Sequence, residues 1–193
     1  KYSDISLKSH PPEIPENLNN VIVVAQPMDY ELIKTVPSAL SGSATGLGYS
    51  HDALTVLSLT QYIRNLGYEA IGSMNDTSLA IPYAIKAGLG EYGKNGLVIT
   101  NKFGPRVRLG KIYTSLPLEH DKPIKFGVSE FCKNCSLCVK GCPVNAIPDG
   151  LPSSKTYNIS NISGVRKWSV DGEKCFSFWT AQNSDCSICI RLC

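Results

Sequence analysis

Residues 132–143 read Cys-Lys-Asn-Cys-Ser-Leu-Cys-Val-Lys-Gly-Cys-Pro, so four cysteines have the spacing C-x2-C-x2-C-x3-C with a proline behind the last. A second group has the spacing C-x10-C-x2-C-x3-C. Its members are Cys175, Cys186, Cys189 and Cys193. The last three members of this group repeat the spacing at the end of the first group. The two groups hold all eight cysteines of the 193-residue chain, so cysteine chemistry decides the structure of its last third.

The spacing of these cysteines is typical of ligands to [4Fe–4S] clusters. C-x2-C-x2-C-x3-C-P is the run of bacterial ferredoxins, in which the fourth cysteine ligates the other of two clusters. Three cysteines on a tight loop can cover one face of a cubane, and the fourth thiolate comes from elsewhere. The predicted ligands are Cys132, Cys135, Cys138 and Cys193 for cluster 1, and Cys142, Cys175, Cys186 and Cys189 for cluster 2.

Two other uses of eight cysteines stay open at this point. They could form four disulfides in a secreted protein, or two zinc sites with four cysteine ligands each. Zinc motifs usually separate two C-x2-C pairs by a longer loop, whereas here three cysteines lie within seven residues and a fourth follows four residues later. The spacing therefore favours iron–sulfur clusters.

Charge, hydropathy and the chain ends bound the remaining possibilities. The net charge of +3, with scattered lysines and arginines, gives little support to a nucleic-acid partner. No run of about 18 apolar residues predicts a membrane-spanning helix. The chain begins at Lys1 and ends at Cys193, a predicted cluster ligand, so we expect it to be an internal piece of a longer protein.

The first 128 residues alternate between strand and helix signals, which predicts an α/β layer. Gly and Ser residues predict loops at 41–48 and 88–96, and residues 75–78 carry a turn and N-cap signal. Strands are predicted at 21–25, 68–71, 97–100 and 107–113, and helices at 49–66 and 78–87. The expected fold is α+β, with an α/β domain at 1–128 and a two-cluster ferredoxin-like module at 129–193.

Several blocks resemble the core of corrinoid-dependent reductive dehalogenases, and the resemblance covers the chain from about Val21 onward. The more discriminating blocks are residues 103–114 (FGPRVRLGKIYT) and 75–82 (NDTSLAIP). The other similar blocks are residues 44–50 (ATGLGYS), 62–71 (YIRNLGYEAI), 87–96 (AGLGEYGKNG), 174–179 (KCFSFW) and 185–189 (DCSIC).

The resemblance implies a partial nitroreductase-like α/β domain that holds a cobamide, followed by the ferredoxin-like module. It implies reductive cleavage of a carbon–halogen bond, in which an organohalide, two electrons and a proton give the dehalogenated product and halide. It also implies base-off cobamide binding without a histidine ligand to cobalt. The sequence agrees, because it has no D-x-H-x-x-G motif and its only histidines are His10, His51 and His120.

The resemblance also assigns residue roles. Tyr49 matches the tyrosine that donates a proton to the substrate carbon, and a phenol keeps its proton at neutral pH. Arg108 matches the arginine that stabilises the resulting phenolate, and its permanent charge does not compete for the proton. Asn75 and Trp179 match members of the substrate pocket. The pattern alone favours a different interpretation: Tyr49 and Trp179 as packed aromatics, Arg108 as a solvated or ion-paired side chain, and Asn75 as a turn residue or N-cap. His51 ranks below Tyr49 as a candidate acid.

The expected partners follow from the resemblance alone. They are a small organohalide, an electron donor that is quinol-linked or similar to ferredoxin or flavodoxin, and a small membrane anchor protein, with no nucleic acid. The expected location is the outer face of the cytoplasmic membrane.

Two rival functions are distinguishable. Epoxyqueuosine reductase, a tRNA-modifying enzyme, also combines a corrinoid domain with two [4Fe–4S] clusters, but it needs a basic tRNA-binding surface. An electron-transfer module without catalysis would carry no corrinoid.

Overall fold

The computed structural model describes residues 14–75 and 77–193. Its main sheet has three strands in the order β1-β5-β2, and both neighbouring pairs run antiparallel. The strands are β1 (Asn20–Pro27), β5 (Val107–Thr114) and β2 (Ala70–Ser73). The strand predictions at 21–25 and 107–113 are confirmed, and the one at 68–71 is displaced by two residues.

Helices cover both faces of this sheet, because successive residues of a strand point to opposite sides. Ile22 and Val24 of β1 pack with Val56 and Ile63 of the long helix α2 (Ala39–Asn65). Val23 and Ala25 pack instead with Ala84 of α3 (Ala80–Lys86). A short helix, α1 (Tyr30–Ile33), connects β1 to α2.

The predicted loop at 41–48 is wrong, because these residues form the first third of α2. A capping box starts the helix: Ser41 N–H donates to Ser38 Oγ and Ser38 N–H donates to Ser41 Oγ, each over 3.2 Å. Ala44 is buried against Met28 and Ile33. Tertiary packing thus overrides the low helix propensity of the glycines in this segment.

The apolar spacing that predicted the rest of α2 does not mark its buried face. The apolar side chains of Leu54, Leu57, Tyr62 and Leu66 are exposed, and of the predicted positions only Ile63 is buried. The buried residues of α2 combine small, polar and aliphatic side chains: Ser41, Ala44, Gly48, Asp52, Val56, Thr60 and Ile63.

Two glycines let this face lie close to the sheet. A Cβ on Gly110 of β5 would lie 2.4 Å from Val56 Cγ2 and 2.5 Å from Asp52 Oδ1. A Cβ on Gly72 of β2 would lie 2.7 Å from Val56 Cγ1. Close contact between α2 and the sheet is therefore possible because glycine has no side chain at these two positions.

The segment predicted as a glycine-rich loop contains a small hairpin, β3 (Glu91–Tyr92) paired with β4 (Val98–Ile99). Val98–Ile99 lies within the strand predicted at 97–100. Tyr92 and Ile99 pack with Val128, Cys132 and Trp168. The hairpin therefore contributes to a core that extends across the predicted boundary at residue 128.

Four short helices carry the cysteine groups. They are α4 (Val128–Asn134), α5 (Leu137–Lys140), α6 (Gly172–Gln182) and α7 (Ile188–Arg191). Gly141 ends α5 where a Cβ would lie 2.0 Å from Leu192 Cδ1, so a glycine is needed for the two cysteine groups to pack together. Among the residues with described structure, no helix is both long and apolar enough to cross a bilayer.

Candidate active site and cysteine cradles

The structure brings together three of the four non-cysteine residues singled out from the sequence. Tyr49 lies within α2 and not at its start, because the helix begins ten residues earlier. The guanidinium carbon of Arg108 lies 4.7 Å from the centre of the Tyr49 ring. Asn75 Nδ2 donates to the Tyr49 hydroxyl oxygen over 3.0 Å. The phenol thus has a cation on its face and an amide donor on its oxygen.

The sequence context predicted a turn and an N-cap at residues 75–78, but Asn75 does not cap a helix. The N-cap position of α3 belongs to Leu79, which makes no side-chain capping bond. Asp76, also in the predicted turn, lies outside the described residues. Because Asn75 donates to the Tyr49 oxygen, the hydroxyl proton of Tyr49 is left to point toward another acceptor.

Trp179 does not join this group through any hydrogen bond or ring contact in the described part of the chain. Its indole lies on α6, with ring centres 6.2 Å from Phe176, and 39% of the residue is exposed. His51 lies on the exposed side of α2, and His10 lies outside the described residues.

A chain of polar contacts that the sequence analysis did not identify connects Arg108 with the second cysteine group. Arg108 Nη2 donates to Thr45 Oγ1 over 3.2 Å, and Thr45 Oγ1 in turn donates to Asp185 Oδ2. Asp185 directly precedes Cys186 in the sequence. Thr45 and Asp185 are far apart in the chain, so the sequence does not predict that they meet. The only signal was their position in two similar blocks: Thr45 shares block 44–50 with Tyr49, and Asp185 shares block 185–189 with Cys186.

A buried carboxylate lies one turn beyond Tyr49 on the same helix. Asp52 is 1% exposed, and its Oδ1 has no hydrogen-bond partner in the described residues. Burial raises the pKa of Asp52 to about 6, although the charges of Lys111 and Arg108 act in the opposite direction. Asp52 therefore supplies a nearby negative charge beneath the site that weakens as the pH falls.

The cysteines gather in two sets. Burial raises the pKa of Cys193 to about 11, and the charges of Cys132, Cys138 and Cys135 raise it further. Burial likewise raises the pKa of Cys175 to about 11, with added effects of Cys186 and Cys142. Burial also raises the pKa of Cys189, and the charges of Cys175, Cys186, Cys138 and Cys142 raise it further. Each set therefore lies within electrostatic range of its own members, and Cys138 places the two sets side by side.

Disulfides, zinc sites and iron–sulfur clusters require different separations between the cysteine sulfur atoms. All eight cysteines are free thiols. A zinc ion with four thiolates at about 2.3 Å holds its sulfur atoms about 3.8 Å apart. Within residues 14–75 and 77–193, no three Cys, His, Asp or Glu side chains are grouped for one metal ion. A cubane needs thiolates that are further apart.

One set surrounds a cavity that fits such a group. The cavity has a volume of about 410 Å³, and Cys132, Cys135, Cys138 and Cys193 lie in its wall. In the other set, the Ala146 N–H donates to Cys142 Sγ over 3.2 Å, a type of bond that tunes iron–sulfur potentials. The donor sets thus fit the proposed ligation, which stays a prediction.

Comparison with known proteins places the chain among dehalogenases. The model of the reductive dehalogenase subunit family matches residues 7–118. A tetrachloroethene reductive dehalogenase of Desulfitobacterium hafniense is 45% identical over 90% of this chain and 32% of its own length. The structure of the catabolic reductive dehalogenase NpRdhA in complex with 3-bromo-4-hydroxybenzoic acid has a TM-score of 0.79 and 28% identity, over 90% of this chain and 25% of that one.

A more distant relative is the epoxyqueuosine reductase of Staphylococcus aureus, 28% identical over 92% of this chain and 44% of its own length. The chain spans about a third of the length of the tetrachloroethene dehalogenase it matches. The family model covers more than half of the chain, and the tetrachloroethene dehalogenase, at 45% identity, is more similar to it than the reductase, at 28%. This chain belongs to the reductive dehalogenase subunit family.

Proposed function

We propose that the parent protein of this chain replaces the halogen of a small organohalide by hydrogen, at a base-off cobamide supplied with electrons by two [4Fe–4S] clusters. The observation that carries the proposal is the group formed by Tyr49, Arg108 and Asn75 in a chain of this family. We infer further that residues 1–128 are part of a nitroreductase-like cobamide domain, and residues 129–193 a two-cluster ferredoxin-like module.

Tyr49 is the proton donor in this proposal. When bound, the cobamide supplies the electrons that break the carbon–halogen bond, and the carbon then needs one proton. The Tyr49 hydroxyl can give that proton, because its oxygen already accepts a bond from Asn75 and its hydrogen is free to point at the substrate. The organohalide thus takes up two electrons and a proton, and leaves as halide and dehalogenated product.

Arg108 stabilises the phenolate that the transfer leaves on Tyr49. Its guanidinium lies 4.7 Å from the ring centre and carries a permanent charge, so it favours the anion without competing for the proton. The amide N–H of Asn75 donates a hydrogen bond to the phenolic oxygen itself. Trp179 keeps its proposed place in the substrate pocket on family grounds alone.

The eight cysteines hold the clusters in this proposal. Cys132, Cys135, Cys138 and Cys193 would hold cluster 1 in the cavity that they line, and Cys142, Cys175, Cys186 and Cys189 would hold cluster 2. Because the two sets of cysteines are adjacent, electrons would travel only a short distance between the two clusters. A quinol-linked donor or a ferredoxin- or flavodoxin-like donor would supply the electrons.

Family membership also supports a location at the outer face of the cytoplasmic membrane, with a small anchor protein as partner. Fractionation of cells that express the parent gene tests this point, because the dehalogenase should sediment with membranes and be released when the anchor is absent.

Tyr49→Phe in the parent protein tests the catalytic proposal. Halide release should fall by about 10²- to 10⁴-fold, the usual contribution of a positioned acid, with cobamide and iron content unchanged. Tyr62→Phe is the matched control, because Tyr62 lies on the same helix and is 60% exposed. Unchanged turnover in Tyr49→Phe with full cofactor content would refute the role.

A second assay separates the proposal from the tRNA-modifying alternative. Expression of the parent gene in a strain that lacks epoxyqueuosine reductase should give halide release from added organohalide and no queuosine in tRNA. The reverse result would favour the alternative function.

A further inference from the structure

Lys94 is a buried lysine in the turn between β3 and β4. Only 2% of it is exposed. Its Nζ donates to the backbone carbonyl of Cys135 over 2.8 Å and lies 3.5 Å from the carbonyl oxygen of Lys133. It also lies 5.9 Å from the centre of the Trp168 ring. The ammonium is thus held against the loop that carries the first cysteine group.

Among the described residues, no carboxylate forms a salt bridge with Lys94. The salt bridges in the part of the chain that the structure describes join Lys34 to Glu31 and Lys174 to Asp171, and none involves Lys94. Burial of a charge is costly unless the charge is paired. Two carbonyl dipoles and a ring face solvate the ammonium in part, but the countercharge must come from another group.

The cavity beside Lys94 is the place for that group. Lys94 lines it together with Cys132, Cys135, Cys138 and Cys193. The ammonium, which donates to the Cys135 carbonyl, therefore lies at the wall that the four thiols share. A [4Fe–4S] cluster with four thiolates carries a net negative charge and would complete the pairing.

We propose that Lys94 is the counter-ion of cluster 1 and raises the reduction potential of that cluster. The proposal rests on the cluster ligands proposed above. Reduction adds one electron to the cluster from a low-potential donor, and no bond is formed or broken. Because the reduced cluster is the more negative state, a fixed positive charge beside it stabilises the reduced state more than the oxidised one.

Lys94 is a positioning residue in this scheme, because it touches the cluster loop and not the organic substrate. Its bond to the Cys135 carbonyl also orients the loop. The two effects separate by substitution: Lys94→Gln removes the charge and keeps an N–H donor, whereas Lys94→Arg keeps the charge and changes the shape.

The test is a redox titration of the reconstituted parent protein, followed by electron paramagnetic resonance. The expected result for Lys94→Gln is a more negative potential for one of the two clusters. At the wild-type midpoint the ratio of reduced to oxidised cluster should fall by on the order of tenfold, which is about 59 mV for one electron. Lys133→Gln is the matched control, since Lys133 is exposed and directly follows Cys132. It should leave both potentials unchanged.

Several outcomes would overturn the proposal. Lys94→Gln with full iron content and wild-type potentials removes any electrostatic role. If Lys94→Gln loses iron, the potential of Lys94→Arg becomes the test. A Lys94→Arg protein that retains iron and has a near-wild-type potential supports the counter-ion role, whereas loss of iron or a more negative potential in that variant overturns it. A wild-type protein without iron and acid-labile sulfide would instead contradict the cluster assignment itself, so the two failures are distinguishable.

Discussion

Arg108 is held by few contacts for a residue with its proposed role. Its Nη2 reaches Thr45, and its Nε is buried without a hydrogen-bond partner in the described residues. Thr45 is in turn bonded to Asp185. The position of the guanidinium over the Tyr49 ring therefore depends on a hydroxyl group of α2 and on the loop before Cys186.

Thr45→Val tests this dependence. Loss of a hydrogen bond to a charged group typically costs about 1.5–3 kcal/mol, so we expect halide release by the parent protein to fall by about 10- to 100-fold. Thr45→Ser should retain most of the activity because it keeps the hydroxyl. Equal rates in the wild type and Thr45→Val, measured at saturating substrate, would show that Thr45 does not position Arg108.

Asp52 gives the site a pH dependence with a defined sign. Burial raises the pKa of Asp52 from 3.8 to about 6, so the folded state prefers the neutral carboxyl. Its effect on stability is most favourable below about pH 4 and is lost as the pH rises through about 6. The change reaches about 3 kcal/mol, since about 2 pH units separate the two pKa values.

Asp52→Asn removes this dependence because the amide does not ionise. The thermal midpoint of the variant, relative to the wild type, should therefore rise between about pH 4 and about pH 6 under anaerobic conditions. Asp121→Asn changes an exposed carboxylate and serves as the control. A difference between Asp52→Asn and wild type that is constant across this range would contradict the raised pKa.

At the scale of elements, the decisive contact is that of α2 with the sheet. Gly110 and Gly72 leave the space into which Val56, Asp52 and Thr60 pack. This contact sets the height of α2 above β5. It thereby sets the distance between Tyr49 on the helix and Arg108 on the strand.

Gly110→Ala should destabilise the parent protein, because its Cβ would lie 2.4 Å from Val56 Cγ2. Overpacking of this kind costs about 1–3 kcal/mol. Gly46→Ala in α2 is the control, because nothing lies within 4 Å of the added Cβ. It should be neutral or stabilise the protein by up to about 1 kcal/mol. Chemical denaturation of both variants measures the difference, and similar midpoints would show that α2 can move outward at little cost.

At the scale of the whole molecule, the two cysteine groups depend on each other. Cys193 interacts with the first group, and Cys142 of that group interacts with Cys175, Cys186 and Cys189 of the second. A change in one group should therefore affect a cluster whose other ligands lie elsewhere in the chain.

Cys193→Ser tests this exchange. We expect the parent protein to contain iron and acid-labile sulfide for two [4Fe–4S] clusters, and the variant to lose or convert only the cluster held by Cys132, Cys135 and Cys138. Iron should fall by up to about half. Cys142→Ser should instead affect the cluster of the second group. Loss of the same spectroscopic signal in both variants would contradict the ligand sets.

Local sequence patterns sufficed for several parts of this protein. The strands predicted at 21–25 and 107–113 are confirmed. The family is confirmed as well, because it was recognised from contiguous blocks such as residues 103–114. The cysteine spacing alone suggested which thiols would lie together. Such features depend on neighbours within a few residues, so that the chain carries their signal directly.

Only the tertiary structure decided where α2 begins, which face of it is buried and what surrounds Arg108. The first turns of α2 are helical because Ala44 and Gly48 pack against Met28, which lies on another element. Thr45 meets Asp185 across 140 positions, and Lys94 meets Cys135 across 41. Contacts between residues so far apart leave no periodic trace in the sequence, because each is created only when the helices and strands pack.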